Sequence, residues 1–138
     1  MQLRTIVVTA VVLAGLGGCQ TWGPSWSEVS GSRYTVTDFN RFATGINAVD
    51  AYSPGPVLGT RGDRYFKIDP GPHQLELSAI NTTPNWVTGI NRVYLPMTFE
   101  PCKRYYINAQ FENRLLADWK PVIDHVESIP GCNPAAKP

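Results

Sequence analysis

Asp69-Pro70-Gly71-Pro72-His73-Gln74-Leu75-Glu76-Leu77-Ser78-Ala79-Ile80 is the stretch from which the fold is read. Its first four residues form a turn, because proline presets φ and glycine supplies a positive one. Leu75, Leu77 and Ala79 then alternate with Gln74, Glu76 and Ser78. A period of two puts the apolar set on one face and signals a half-buried β-strand.

The same reading extends in both directions. Arg104–Phe111 sets Tyr105, Ile107, Ala109 and Phe111 against Tyr106, Asn108 and Gln110. The adjoining Tyr105 and Tyr106 therefore point to opposite faces, one to the core and one to the surface. Arg92–Phe99 is extended, and Pro96 makes it an edge strand or the site of a bulge. Arg33–Phe39 and Arg64–Ile68 are rich in aromatic and β-branched residues and read as strands. Phe42–Tyr52 is another, stopped by Ser53-Pro54-Gly55-Pro56, and Trp119–Ile129 closes the series with Val122 and Val126. Asn81–Asn85 reads as a polar loop and Asn113–Trp119 as one helical turn. No segment keeps a helical period for long. The fold class is all-β, a small antiparallel β-sandwich of about seven strands.

The N-terminus carries a different signal. Arg4 precedes an apolar run from Ile6 to Leu16, and the run ends in Leu16-Gly17-Gly18-Cys19. That core suits a signal peptide of roughly 7–15 apolar residues and falls short of the roughly 20 that span a bilayer. The placement of the cysteine resembles the lipobox of bacterial lipoproteins. The resemblance implies that Cys19 is lipidated on its thiol, becomes the first residue after cleavage, and is acylated on its amine. In such lipoproteins an aspartate after the cysteine favours inner-membrane retention, so Gln20 implies the outer membrane, with the domain facing the periplasm. Two or more acyl chains make a stable anchor.

The chain divides on this reading into a signal peptide (1–18), a lipid anchor and tether (19–32), a β-sandwich domain (33–132) and a loose C-terminal tail (133–138). The tether is assigned on its Gly, Ser and Pro content. Trp22 and Trp26 within it either sit at the membrane interface, where indole rings are favoured, or pack back on the domain. Of 12 Lys+Arg and 11 Asp+Glu, only Arg4 lies in the signal, so the mature chain is balanced at 11 against 11. That balance argues against a nucleic-acid partner.

With Cys19 committed to lipid, Cys102 and Cys132 remain as a pair, and in an oxidising periplasm they read as one disulfide. A zinc site completed by His73 or His125 lacks any CxxC or HxxxH spacing, so no metal is expected. No cofactor motif is present either.

The stretch Ile68–Leu77 resembles the Pro-Gly turn and returning strand of PEGA-type and transthyretin-like sandwich modules. Cys102-Lys103-Arg104-Tyr105-Tyr106-Ile107 resembles the G-K-x-Y-Y-h strand of the same modules, with cysteine near the usual glycine. Small proteobacterial outer-membrane lipoproteins carry such modules, and the resemblance implies a fold rather than a reaction.

Catalytic patterns are sparse. His125, flanked by Asp124 and Glu127 and joined by Asp118, is the best acid–base group on offer, but a solvated face of an edge strand explains it more simply. There is no G-x-S-x-G elbow, Cys–His arrangement or phosphate-binding glycine loop. Arg61-Gly62-Asp63 and Asn81-Thr82-Thr83 read as turn and loop sequence. Trp86, Tyr94 and Tyr106 are the candidate ligand or partner surface, since outward aromatics mark such surfaces. The expected role is a non-enzymatic interaction or assembly module with an envelope protein partner. The alternative is a glycan- or small-ligand-binding lipoprotein. Replacing Cys19→Ser is expected to move the protein out of the membrane fraction; continued membrane attachment would rule out the anchor.

Overall fold

The computed structural model describes residues 25–52, 65–80 and 92–136. The expected signal peptide (1–18), Cys19, Trp22 and Trp86 lie outside the described residues, as do 53–64 and 81–91. The described chain is all-β, with seven strands: β1 (Ser27–Ser30), β2 (Arg41–Val49), β3 (Phe66–Ile68), β4 (Gly71–Ile80), β5 (Arg92–Phe99), β6 (Lys103–Phe111) and β7 (Trp119–Ser128).

β6 organises the rest. One of its edges pairs along its whole length with β7. The other edge is divided: Arg104–Tyr106 pair with β1, and Asn108–Gln110 pair with β2. From β1 the sheet continues to β3, and from β2 to β4 and then β5. The strands thus form one branched sheet, and all pairs are antiparallel except β1 with β6. The two branches enclose a core of Val29, Ile46, Ile68, Leu75, Leu77, Phe99, Tyr105 and Ile107. Burying side chains of this size contributes about 1.5–3 kcal/mol each. The alternation in β4 and the apolar face of β6 supply much of that core, as their sequence period requires.

Three expectations change. Ser27–Ser30, read as tether, is an inner strand whose four residues are all buried. Its polar composition is served by long-range partners: Ser27 Oγ donates to the Glu100 carbonyl (2.7 Å), and Cys102 N–H donates to the Trp26 carbonyl (2.7 Å). The domain therefore begins before residue 33. Arg33–Phe39, read as a strand, joins no ladder. Its Arg33 guanidinium instead donates to the carbonyls of Thr35, Val36 and Asp38, curling the segment on itself. Leu116 N–H donates to the Asn113 carbonyl (2.9 Å), making a single turn there rather than helix.

The 69–72 turn also works differently from the hairpin implied by resemblance. β3 pairs with β1 whereas β4 pairs with β2 and β5, so the turn carries the chain from one branch to the other. Gly71 has φ +125°, which a side chain would strain. Pro96 lies in β5, whose one partner among the described residues is β4, so the proline sits on an edge strand there. Cys102 and Cys132 form a disulfide with Cα atoms 5.4 Å apart. Closing that loop restricts the unfolded chain by about 3.5 kcal/mol on the entropy model.

The branch point is tightly built. Thr44 N–H donates to the Gly31 carbonyl (2.9 Å), and Thr44 Oγ1 donates to the Ile107 carbonyl (2.6 Å). Asn108 Nδ2 donates to the carbonyls of Ser32 (2.9 Å) and Gly31 (3.3 Å). A Cβ at Gly31 would lie 1.9 Å from the Thr44 carbonyl oxygen, a backbone atom with nowhere to go. Gly31→Ala is expected to cost about 3 kcal/mol or more in urea denaturation. A loss under about 1 kcal/mol would mean that β1 and β2 do not approach this closely.

Candidate functional site

Three polar groupings stand out on the frame, and all are assembled from residues distant in sequence. The first is built on a bulge in β7. His125 lies opposite Tyr106 and Ile123 opposite Ile107, leaving Asp124 as the extra residue. Its side chain is 1% exposed and turned toward the 33–41 segment. Thr35 donates to it twice, from N–H (2.6 Å) and Oγ1 (2.8 Å), and Arg41 closes a salt bridge on the same carboxylate. Burial alone would raise the Asp124 carboxyl, but the Thr35 bonds and Arg41 outweigh it and hold it below the usual carboxylate range. The bulge therefore fastens the irregular segment over the outer face of β6.

The second grouping lies beside it. Arg104 Nε donates to Glu28 (2.6 Å), and its Nη1 donates to Glu127 (2.7 Å). The guanidinium also sits 3.7 Å from the centre of the Tyr65 ring. Burial works against its charge, yet the bonds to Glu127 and Glu28 more than offset that and keep Arg104 firmly protonated. The Arg104 bond likewise holds Glu127 below the usual carboxylate range, with the Tyr106 hydroxyl assisting. Tyr106 donates to Glu127 (3.0 Å) and lies 3.2 Å from the Tyr65 hydroxyl; burial comes first in raising its phenol. Tyr34 stacks on His125 with centroids 3.9 Å apart and tilts against Tyr106.

The third is a shallow groove along the start of β4 and the end of β5. It is lined by Asp50, Pro72, His73, Gln74, Pro96, Met97 and Thr98. Asp50 and Ala51 have φ of 49° and 64°, and Val49 and Tyr52 exchange backbone bonds across them. Two consecutive left-handed residues make a tight hairpin turn that usually takes Asn-Gly. Asp50 earns its place through its carboxylate, which accepts from Gln74 N–H (2.8 Å) and faces His73 Nδ1 (2.5 Å). The Gln74 amide first, then His73, lowers the Asp50 carboxyl below its ordinary value.

Of the expected aromatic surface, Trp86 lies outside the described residues, and Tyr94 and Tyr106 are placed apart. Tyr106 is buried rather than outward, because β6 is covered on both faces: the core lies on one and Tyr34 of the 31–40 segment on the other. Tyr94 is 58% exposed on β5, in the other branch. Trp26 packs back on the domain, its indole N–H donating to Glu28 (2.9 Å) beneath the Lys67 ammonium. Val126 is exposed on β7. The Asp124 carboxylate faces Thr35 and Arg41, so the charge near His125 comes from Glu127 at 4.0 Å.

Among the described residues, no buried side-chain polar atom lacks a hydrogen-bond partner, and no cluster of His, Cys, Asp and Glu could hold a metal ion. Within the first two groupings the charged side chains are committed to one another. What the surface offers instead is apolar: Val36, Phe39, Leu115 and Leu116 are all more than half exposed. The two loops that carry them meet where Phe111 N–H donates to the Asn40 carbonyl (2.9 Å) and Asn40 Nδ2 to that of Glu112 (3.4 Å). Neither loop shows this in sequence, since Arg33–Phe39 reads as a strand and Asn113–Trp119 as one helical turn. Compared with protein-family models, curated proteins and solved structures, the chain matches none.

Asp124 and Glu127 titrate lower in the fold than in the unfolded chain, so their ionised forms stabilise the fold. That stability is present above the ordinary carboxylate range of about 4 and is lost as pH falls through the folded values. Asp124→Asn is expected to cost about 2 kcal/mol at neutral pH and to flatten the acid-side loss of stability. An unchanged acid limb in the variant would show that Asp124 does not fasten the 33–41 segment.

Proposed function

We propose that this chain is a non-enzymatic lipoprotein of the outer membrane whose domain faces the periplasm and serves as a protein-interaction or assembly module. Leu16-Gly17-Gly18-Cys19 supports the anchor. The placement of β1 supports the geometry. Six peptide steps separate Cys19 from Ser25, and six steps reach about 20 Å at most. The end of the domain holding Trp26, the 100–103 turn and the disulfide is therefore the membrane-proximal one.

β6 runs from that end to the opposite one, nine residues or about 27 Å away. There the chain presents Val36, Phe39, Leu115 and Leu116, and this exposed apolar set is the observation that carries the reading. Large apolar side chains left exposed on two loops that meet at Asn40 suit a protein contact. Among the described residues, β3, β5 and β7 each pair with a single neighbour, and such edge strands suit strand addition. A PEGA- or transthyretin-like module in a small envelope lipoprotein would use its surface in this way. A second reading is glycan or small-ligand binding, favoured by Tyr94 exposed on the same strand as Pro96 and Thr98 of the groove.

Phe39→Glu combined with Leu115→Glu tests the choice. Both sites are exposed, so stability should change by about 0.5 kcal/mol or less per site. Mild cross-linking in membranes is expected to capture a stoichiometric protein partner with the wild type and lose it with the double variant. A partner retained by the variant, or a bound glycan with no protein, would overturn the interaction role.

A further inference from the structure

His73 has a hydrogen-bond acceptor at each ring nitrogen. Nδ1 lies 2.5 Å from Asp50 Oδ2, and Nε2 lies 2.8 Å from the Asp69 carbonyl oxygen. A backbone carbonyl only accepts, and an ionised carboxylate only accepts. A neutral imidazole carries one N–H and fills one of the two bonds. The imidazolium carries two and fills both.

Those bonds join three pieces of chain: the turn after β2, the connection between β3 and β4, and the start of β4 itself. The turn is one that needs holding, with Asp50 and Ala51 both left-handed. Asp50 is already fixed on the other carboxylate oxygen by Gln74 N–H, so its position relative to the ring is set. From β5, Met97 lies opposite His73 in the ladder and Phe99 presents its ring at 5.9 Å. Neither titrates. The charged residues that meet the ring are Asp50, through its carboxylate, and Asp69, through its backbone carbonyl; Glu76 on β4 and Arg92 on β5 pair with each other.

We propose that His73 is a proton-operated clamp at the membrane-proximal end of the domain. Charged, it ties the Asp50 turn to the 69–72 connection across the mouth of the groove. Neutral, it holds one of the two and releases the other. Asp50 and His73 themselves line the groove with Pro72, Gln74, Pro96, Met97 and Thr98, so its shape follows the proton. The clamp does not depend on the anchor at Cys19.

The sign follows from the geometry. The charged ring makes the extra bond only in the fold, so the stabilisation is present at low pH and lost as pH rises. Urea unfolding of the full chain in detergent, at about pH 5.5 and about pH 8, brackets the ordinary histidine range. Between those values the wild-type folding constant is expected to fall about fivefold relative to His73→Gln, the worth of one hydrogen bond. Equal pH responses in the two chains would overturn the clamp. Amide exchange in the wild type gives a reading that needs no variant of His73. Protection at residues 50–52 is expected to drop at least about threefold from pH 5.5 to 8 after correction for intrinsic rates, and to do so also in His125→Gln. Protection that does not change, or a change abolished by His125→Gln, would equally overturn it.

Discussion

The structure depends on one shared edge. β6 gives the first half of that edge to β1 and the second half to β2, and a strand can pair with two neighbours on one side only if they change over within a residue or two. The changeover leaves backbone groups that would otherwise be buried without partners, at a cost of about 1–3 kcal/mol each. Thr44 and Asn108, both fully buried, close the gap: one bonds the Ile107 carbonyl and the other the carbonyls of Gly31 and Ser32. Gly31 permits the approach because it has no Cβ. From this point the sheet parts into two branches, and the branches enclose the core.

Much of that frame is legible in sequence, and the reason is local. β4 buries one face and leaves the other half-covered, so its period of two is plain, and Gly71 and Pro96 sit where backbone chemistry allows them. β1 is illegible for the opposite reason. Its four residues are buried on both faces and three of them are polar, so SEVS carries no alternation; Glu100 and Arg104, more than seventy residues away, satisfy Ser27 and Glu28. Tyr106 misleads in the same way, since a strand covered on both faces has no outward side. Arg33–Phe39 has strand composition, yet Arg33 and the Asp124 bulge hold it as a draped segment. The Asp50–His73 pair spans 23 positions and rests on a left-handed turn at Asp-Ala that no local signal marks.

Satisfying polar groups internally has a consequence for role. Arg104, Glu28, Glu127, Arg41 and Asp124 pair with one another in the body of the domain, while large apolar side chains such as Phe39 and Leu115 are left exposed. The disulfide and the Trp26–Cys102 bond fasten the end nearest the N-terminus, while Phe39 and Leu115 project from the end where β6 stops. On the proposed reading, this polarity lets a lipid-held module keep one pole at the bilayer and present the other to a partner. His73 sits at the fastened pole, where a proton adjusts how the turns are tied.

The branch point makes the strongest demand on experiment. Amide exchange of Thr44, whose N–H is held by the Gly31 carbonyl, should be compared with that of Ile107 and Val29 under native conditions. If the shared edge holds both branches together, all three exchange through global unfolding with one common free energy. If Thr44 or Val29 opens at markedly lower free energy while Ile107 stays protected, the branches are independent and the account is wrong.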